Sequence, residues 1–321
     1  MFMIFLVGCV PSNKKEADIE KISLAASPAV NQDSVYFFVE RQVRFGPRIP
    51  NSISHKKTGD FLAASLKKYG ARVTEQHFES MSYDGKRLFL RNIIATFFPE
   101  KQKRILLAAH WDTRPFADKD KEKPNAEFDG ANDGASGVGV LLEAARLLGS
   151  STAPNVGVDI IFFDGEDYGE KNGETPPVLP HGQASWWLLG SQYWAAHKHQ
   201  ANYSAYYGIL LDMVGAKGSK FFKEGGSVDY APSVVDNVWN TADLLGYSNV
   251  FVNQPVESIT DDHVIVNEKA KIPMIDIVHY DPVLGFFGDY HHSGKDNMDL
   301  IDKEMLGIVA RVVVQVIYNE K

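Results

Sequence analysis

The chain reads as an α/β protein, a three-layer sandwich of helices around one central, mixed, mostly parallel β-sheet. Three observations lead there. Strand-like and helix-like segments alternate along nearly the whole length, the pattern of a sheet covered on both faces. Val156–Phe163 is a near-continuous apolar run, as expected of a central strand buried on both sides. Several apolar runs end abruptly in acids or histidines, and open α/β sheets bind their ligands beyond the carboxyl ends of the strands.

Taken in order, Ser34–Val43 and Lys56–Tyr69 have the apolar spacing of amphipathic helices. Val73–Phe78, Leu88–Phe98 and Arg104–Ala109 are rich in β-branched and aromatic residues and predict strands. Ser136–Leu148 starts with small residues and carries leucines along one face, so it predicts a helix. Ile209–Leu211 and Ile272–Val278 are further apolar runs. Ser191–His199, Ser233–Leu245 and Lys303–Tyr318 are helical by spacing. Two long stretches, Asp112–Gly130 and Tyr168–Gly190, predict neither. Long irregular loops in a compact domain usually serve function, and both leave from the acid-rich strand ends. They are expected to wall a pocket.

The 321 residues carry a formal net charge of -8 and no basic run, which disfavours nucleic-acid binding. A single cysteine, Cys9, excludes a disulfide framework. It follows the apolar run Met1–Gly8, far too short to span a bilayer. Leu6-Val7-Gly8-Cys9 resembles a bacterial lipobox, and the polar stretch Pro11–Asp18 suits a tether. Residues 1–30 are therefore read as a lipoprotein signal remnant and tether, and residues 31–321 as one catalytic domain. The resemblance implies a periplasmic or cell-envelope protein, membrane-anchored through an acylated Cys9. The plain alternative is an apolar tail with an ordinary thiol.

The chemistry concentrates at the strand ends. His110 and Asp112 follow the third strand, and on an extended segment they point the same way. Asp133 sits in the turn Gly130-Ala131-Asn132-Asp133-Gly134, whose glycines let a carboxylate enter a crevice; it could equally be a helix N-cap. Phe163-Asp164-Gly165-Glu166-Asp167 places two acids at the end of a buried strand, which is costly unless their charge is compensated. Asp212 ends Ile209–Leu211, and His292 lies in a polar segment beside His291. One histidine and two or three carboxylates make the ligand set of a catalytic zinc with an open position. Asp261-Asp262-His263, on composition alone, would be a solvated loop or a helix cap.

The order His110-x-Asp112, Asp133 in its glycine-flanked turn, Glu166-Asp167 and Asp212 resembles the zinc aminopeptidases and the zinc-dependent glutaminyl cyclases that share their fold. Phe45–Ser52, Leu210–Ala216, Asp261–His263 and His292–Asn297 are similar to the cyclases specifically, in particular the animal-type enzymes and their bacterial lipoprotein counterparts. The resemblance implies a zinc-exopeptidase-like fold and one zinc per chain, held by Asp133, Asp167 and His292. It implies Glu166 as general acid/base, with Asp212 and Asp261 as carboxylates hydrogen-bonded around it. His110, oriented by Asp112, would stand behind the ligands. The substrates implied are peptides or proteins with an N-terminal glutamine, converted to pyroglutamate with loss of ammonia. Two positions depart from the animal pattern: Asp167 stands where those enzymes have Glu, and His291 where they have Trp. A pocket aromatic is then expected from Trp186, Trp187 or Phe287. The competing expectations are a two-zinc aminopeptidase, using His110, Asp133, Asp167, Asp212 and His292, and a non-catalytic peptide-binding surface lipoprotein.

Overall fold

The computed structural model describes residues 24–321. Cys9 and the tether lie outside the described residues. Helices α1 (Gln32–Val43) and α2 (Ile53–Lys68) precede strands β1 (Arg72–Met81), β2 (Arg87–Phe97) and β3 (Arg104–His110). Helix α3 (Ala135–Ser150), β4 (Gly157–Phe163), α4 (Leu189–Ala196) and β5 (Tyr207–Asp212) follow. Then come β6 (Phe221–Lys223), α5 (Gly225–Tyr230), α6 (Pro232–Leu244), β7 (Phe251–Pro255) and α7 (Asp262–Ile265), which runs into a π-helical turn at Val266–Ala270. Strand β8 (Met274–Val278) and helix α8 (Lys303–Asn319) complete the chain.

The main sheet has the order β1-β2-β4-β3-β5-β8. Strands β4, β3, β5 and β8 are mutually parallel, and β2 joins β4 antiparallel, as β1 joins β2. This is the mixed, mostly parallel sheet that the alternation predicts. Side chains of β3 divide between two layers. Ile105, Leu107 and Ala109 face a large core with α1, α3 and α8, whereas Leu106 and Ala108 face a smaller one with Trp194, Val266 and Ile272. Both faces are dry, so all seven residues of β4 are buried. The short pair β6-β7 and helix α5 carry no strong periodic signal, and the sequence reading passes over them; at α7 the helix-cap reading of Asp261-Asp262-His263 applies, since Asp261 is the N-cap, and the three residues are buried, not solvated.

The register aligns the carboxyl ends. His110 pairs with Phe163 of β4, and Asp212 ends β5 opposite Val278 of β8. Helix α3 is drawn onto this edge by Gly137, where a side chain would collide with the Leu211 carbonyl. The residues that follow β3, β4 and β5, and the turn before α3, thus meet above one end of the sheet.

Candidate active site

Three turns present the site, and each is tied from behind. The turn carrying Asp133 is fixed by Asp296, whose two carboxylate oxygens accept the N–H groups of Asn132 and Asp133 at 2.7 and 3.0 Å. From the other side the fully buried Arg48 donates to the carbonyls of Trp111, Asp129, Gly130 and Asp133. Gly134, at φ +82°, caps α3, so Asp133 is free of the capping role and points into the crevice. The turn carrying Glu166 and Asp167 hangs on Asp112, which accepts both their N–H groups at 3.1 and 3.3 Å. Asp164 anchors the start of that turn, taking bonds from Arg91 N–H and from the His55 ring at 2.9 Å. The third turn carries His292 at φ +53°, and its Nδ1 faces Asp118 Oδ1 at 3.6 Å.

At the centre, His292 Nε2 lies 3.1 Å from Asp167 Oδ1 and 3.6 Å from Asp133 Oδ2. Both carboxylate oxygens are buried and lack a hydrogen-bond partner among the described residues. Orphaned buried acceptors are costly. A tetrahedron with metal–ligand arms of about 2.0–2.1 Å has edges of roughly 3.3 Å, so this spacing fits zinc. The donor set, one imidazole and two carboxylates with a side open to the cleft, is that of a catalytic zinc. His291 also brings a ring nitrogen into ligand range of Asp133 and His292.

A second group shares Asp133. His110 Nε2 is 3.0 Å from Asp133 Oδ1 and 3.2 Å from Asp212 Oδ1. Burial opposes a charge on His110, but Asp112, Asp133 and Asp212 outweigh it and hold the ring well above the ordinary histidine range. Among the described residues its Nδ1 has no hydrogen-bond partner, and it stands 3.6 Å from Asp112 Oδ1. Asp112 is therefore spent on the Glu166–Asp167 turn more than on orienting His110. Asp212 turns to His110, and among the described residues no hydrogen bond joins it, or Asp261, to Glu166. Asp261 caps α7 and faces the cleft.

Glu166 is held well above the ordinary carboxylate range, first by burial and then by the negative field of Asp167 and Asp261 against the pull of His110. Asp261 is likewise pushed to about 7, by burial and then by Asp212. A carboxyl poised near neutrality can both take and return a proton.

The cleft above these groups encloses about 310 Å³. The two long loops wall it, the first with Arg114, Asp118 and Lys119, the second with Glu170, Trp187 and Leu188. Trp187 lies parallel to the His292 ring, 6.0 Å away, with the Arg114 guanidinium 4.5 Å over its face. Phe286 and Phe287 also line the cleft, packed against His291. Trp186 does not line the cleft. It is buried beneath the loop and donates its indole N–H to the Pro177 carbonyl, so it braces the wall from behind. The sequence reading missed Arg48, Asp118, Lys119 and Asp296. Arg48 and Asp296 did fall in segments singled out for resemblance, which is the one signal that marked them.

A model of the family described as Peptidase family M28 matches residues 92–317. Among solved structures, the chain resembles a Bacteroides thetaiotaomicron glutaminyl cyclase bound to N-acetylhistamine, at 46% identity and a TM-score of 0.88, covering 92% of this chain and 100% of that one. It also resembles a leucine aminopeptidase precursor from the same organism, at 45% identity and a TM-score of 0.87, over 93% and 100% of the two chains. The glutaminyl-peptide cyclotransferase of Drosophila melanogaster is 25% identical over 182 residues, 55% of this chain and 47% of that protein. The chain spans about half the length of the curated relatives it matches first.

Proposed function

The chain belongs to peptidase family M28, and from that footing we propose that it is a zinc-dependent glutaminyl-peptide cyclotransferase with one zinc per chain, held by Asp133, Asp167 and His292. The observation that carries the metal reading is the pair of partnerless buried oxygens, Asp133 Oδ2 and Asp167 Oδ1, both within 3.6 Å of His292 Nε2. A zinc there would supply a Lewis acid for the side-chain amide of an N-terminal glutamine.

The remaining work falls to the chain's own groups. Glu166 takes a proton from the neutral α-amine as that nitrogen attacks the amide carbon. The new C–N bond closes the five-membered ring. Glu166 returns the proton to the departing nitrogen as the C–NH2 bond breaks and ammonia leaves. Trp187, Phe286 and Phe287 hold the folded side chain between aromatic walls and exclude water. Such positioning is worth several kcal/mol, on the order of the lower part of the range for intramolecular reactions.

The second group, His110, Asp133 and Asp212, is the observation that favours a two-zinc aminopeptidase. Against it stands the His110 environment. A metal-bound histidine ordinarily donates its other nitrogen to a partner, and His110 Nδ1 has none among the described residues. His110 Nε2 already meets both carboxylates directly, at 3.0 Å from Asp133 Oδ1 and 3.2 Å from Asp212 Oδ1. The deciding experiment measures ammonia release from a Gln-peptide beside amine release from a leucine anilide, with zinc counted per chain. We expect the first activity and about one zinc. Anilide cleavage with two zincs would establish the peptidase.

We also propose the envelope location and the acyl anchor on Cys9, supported by the Leu6–Cys9 pattern alone. Fractionation of a Cys9→Ser protein tests it: loss from the membrane fraction is expected.

A further inference from the structure

His291 brings one ring nitrogen into ligand range of Asp133 and His292, and its other ring nitrogen meets Lys119. The left-handed backbone at His292 turns two sequence neighbours into the same crevice, with ring centroids 3.7 Å apart. Both rings are buried. His291 Nε2 lies 3.9 Å from Asp133 Oδ2, against 3.6 Å for His292 Nε2. A small rotation would bring it to the roughly 3.3 Å edge of a tetrahedral zinc site. Four protein ligands make a closed, structural type of site with no place for substrate.

The other nitrogen of His291 decides the matter. Lys119 Nζ sits 2.7 Å from His291 Nδ1. An ammonium has donors only, so Nδ1 must be the acceptor, and the neutral ring then carries its proton on Nε2. That is the atom facing Asp133. A protonated nitrogen has no lone pair for a metal. Lys119 is itself well placed for this: its backbone N–H donates to the His292 carbonyl at 3.1 Å, and its ammonium lies 5.2 Å over the Phe286 ring. The neighbouring cation Arg114 cannot substitute. Its donors go to Asp118 and to the carbonyls of Asp167, Gly169 and Glu170.

We propose that Lys119 is a positioning residue that keeps His291 off the metal and so keeps the fourth coordination position open. The inference rests on the zinc reading above. It is tested on full-length Lys119→Met, with chelator competition for zinc and the visible spectrum of the cobalt-substituted protein as readouts beside turnover. Without the ammonium, His291 is free to ligate. Zinc retention should rise at least about tenfold, the lower end of what groups behind the ligands change. The cobalt bands should alter, and turnover should fall. Lys119→Arg keeps a donor and should restore the wild-type spectrum. In Lys119→Met/His291→Phe the open site should return, with wild-type zinc retention. If wild-type protein binds zinc through His292 but Lys119→Met leaves affinity and cobalt spectrum unchanged, the role of Lys119 is overturned alone. If His292→Ala retains zinc in full, the zinc reading itself has failed.

Discussion

His110 Nε2 and Asp212 Oδ1 stand 3.2 Å apart across the carboxyl ends of β3 and β5, a direct hydrogen bond between two residues that could instead share a metal. This contact makes His110 the residue on which the one-zinc and two-zinc readings part. On the one-zinc reading, His110→Ala should keep one zinc and lose activity only in part, because Asp133 loses a neighbour but the metal loses no ligand. Metal analysis and turnover on the same preparation check this. Two zincs in the wild type, with activity abolished in the variant, would favour the peptidase.

Glu166→Gln keeps the shape of the side chain and its backbone bonds to Asp112 and Leu188. Zinc content and melting temperature should stay near wild type, while kcat falls about a hundredfold to ten-thousandfold, the usual cost of losing a general acid/base. Turnover within a few-fold of wild type would assign the proton transfer elsewhere.

Asp296→Ala should damage the proposed metal site without touching a proposed ligand. It strands two buried N–H groups, those of Asn132 and Asp133, at a cost of about 1–3 kcal/mol each. Zinc affinity should drop about ten- to a hundredfold, as for other supports behind metal ligands. Equilibrium dialysis and thermal melts read the two effects. A variant with normal affinity would mean that Arg48 alone holds the turn.

Stability should fall on mild acidification through His199 and His279. Burial holds both near 4 in the folded chain, against about 6.5 when unfolded. Between those values the unfolded chain binds protons that the folded chain refuses, so their contribution is full above about 6.5 and is lost as pH falls towards 4. Melting temperatures at pH 7, 5.5 and 4 should decline less steeply in a His199→Gln/His279→Gln protein than in wild type. Equal slopes would remove these histidines from the account.

Trp187→Ala and Trp186→Phe should separate. The first removes a cleft wall and should raise KM for Gln-peptides. The second loses only the bond to Pro177 and should leave KM near wild type while loosening the loop, read as faster proteolysis at Lys171–Gln183. A KM change confined to the Trp186 variant would reverse their roles.

The parts of this site legible in the sequence are those fixed by local rules. Glu166 and Asp167 stand out because an unbroken apolar strand delivers them, and Asp133 because glycines surround it. What escaped is long-range. Arg48 reaches a turn more than eighty residues on, Asp296 reaches back more than 160, and Lys119 meets His291 across a loop. Nothing in the sequence near those residues signals the partner. Adjacent tryptophans on an irregular loop have no periodicity either, so Trp186 and Trp187 could not be told apart. The strands β6 and β7 are too short to show alternation.

The tie from Arg48 to the Asp133 turn bears on where the working unit of this protein begins. The family match starts at residue 92, yet Arg48 and His55, both earlier, are among the groups that brace the two acidic turns. The segment between α1 and α2 is thus a clasp rather than an extension. A single proteolytic nick there, far from every proposed metal ligand in sequence, would act as an active-site lesion, and an N-terminal truncation drawn at the family boundary would remove both braces together with the core side chains of α1 and α2.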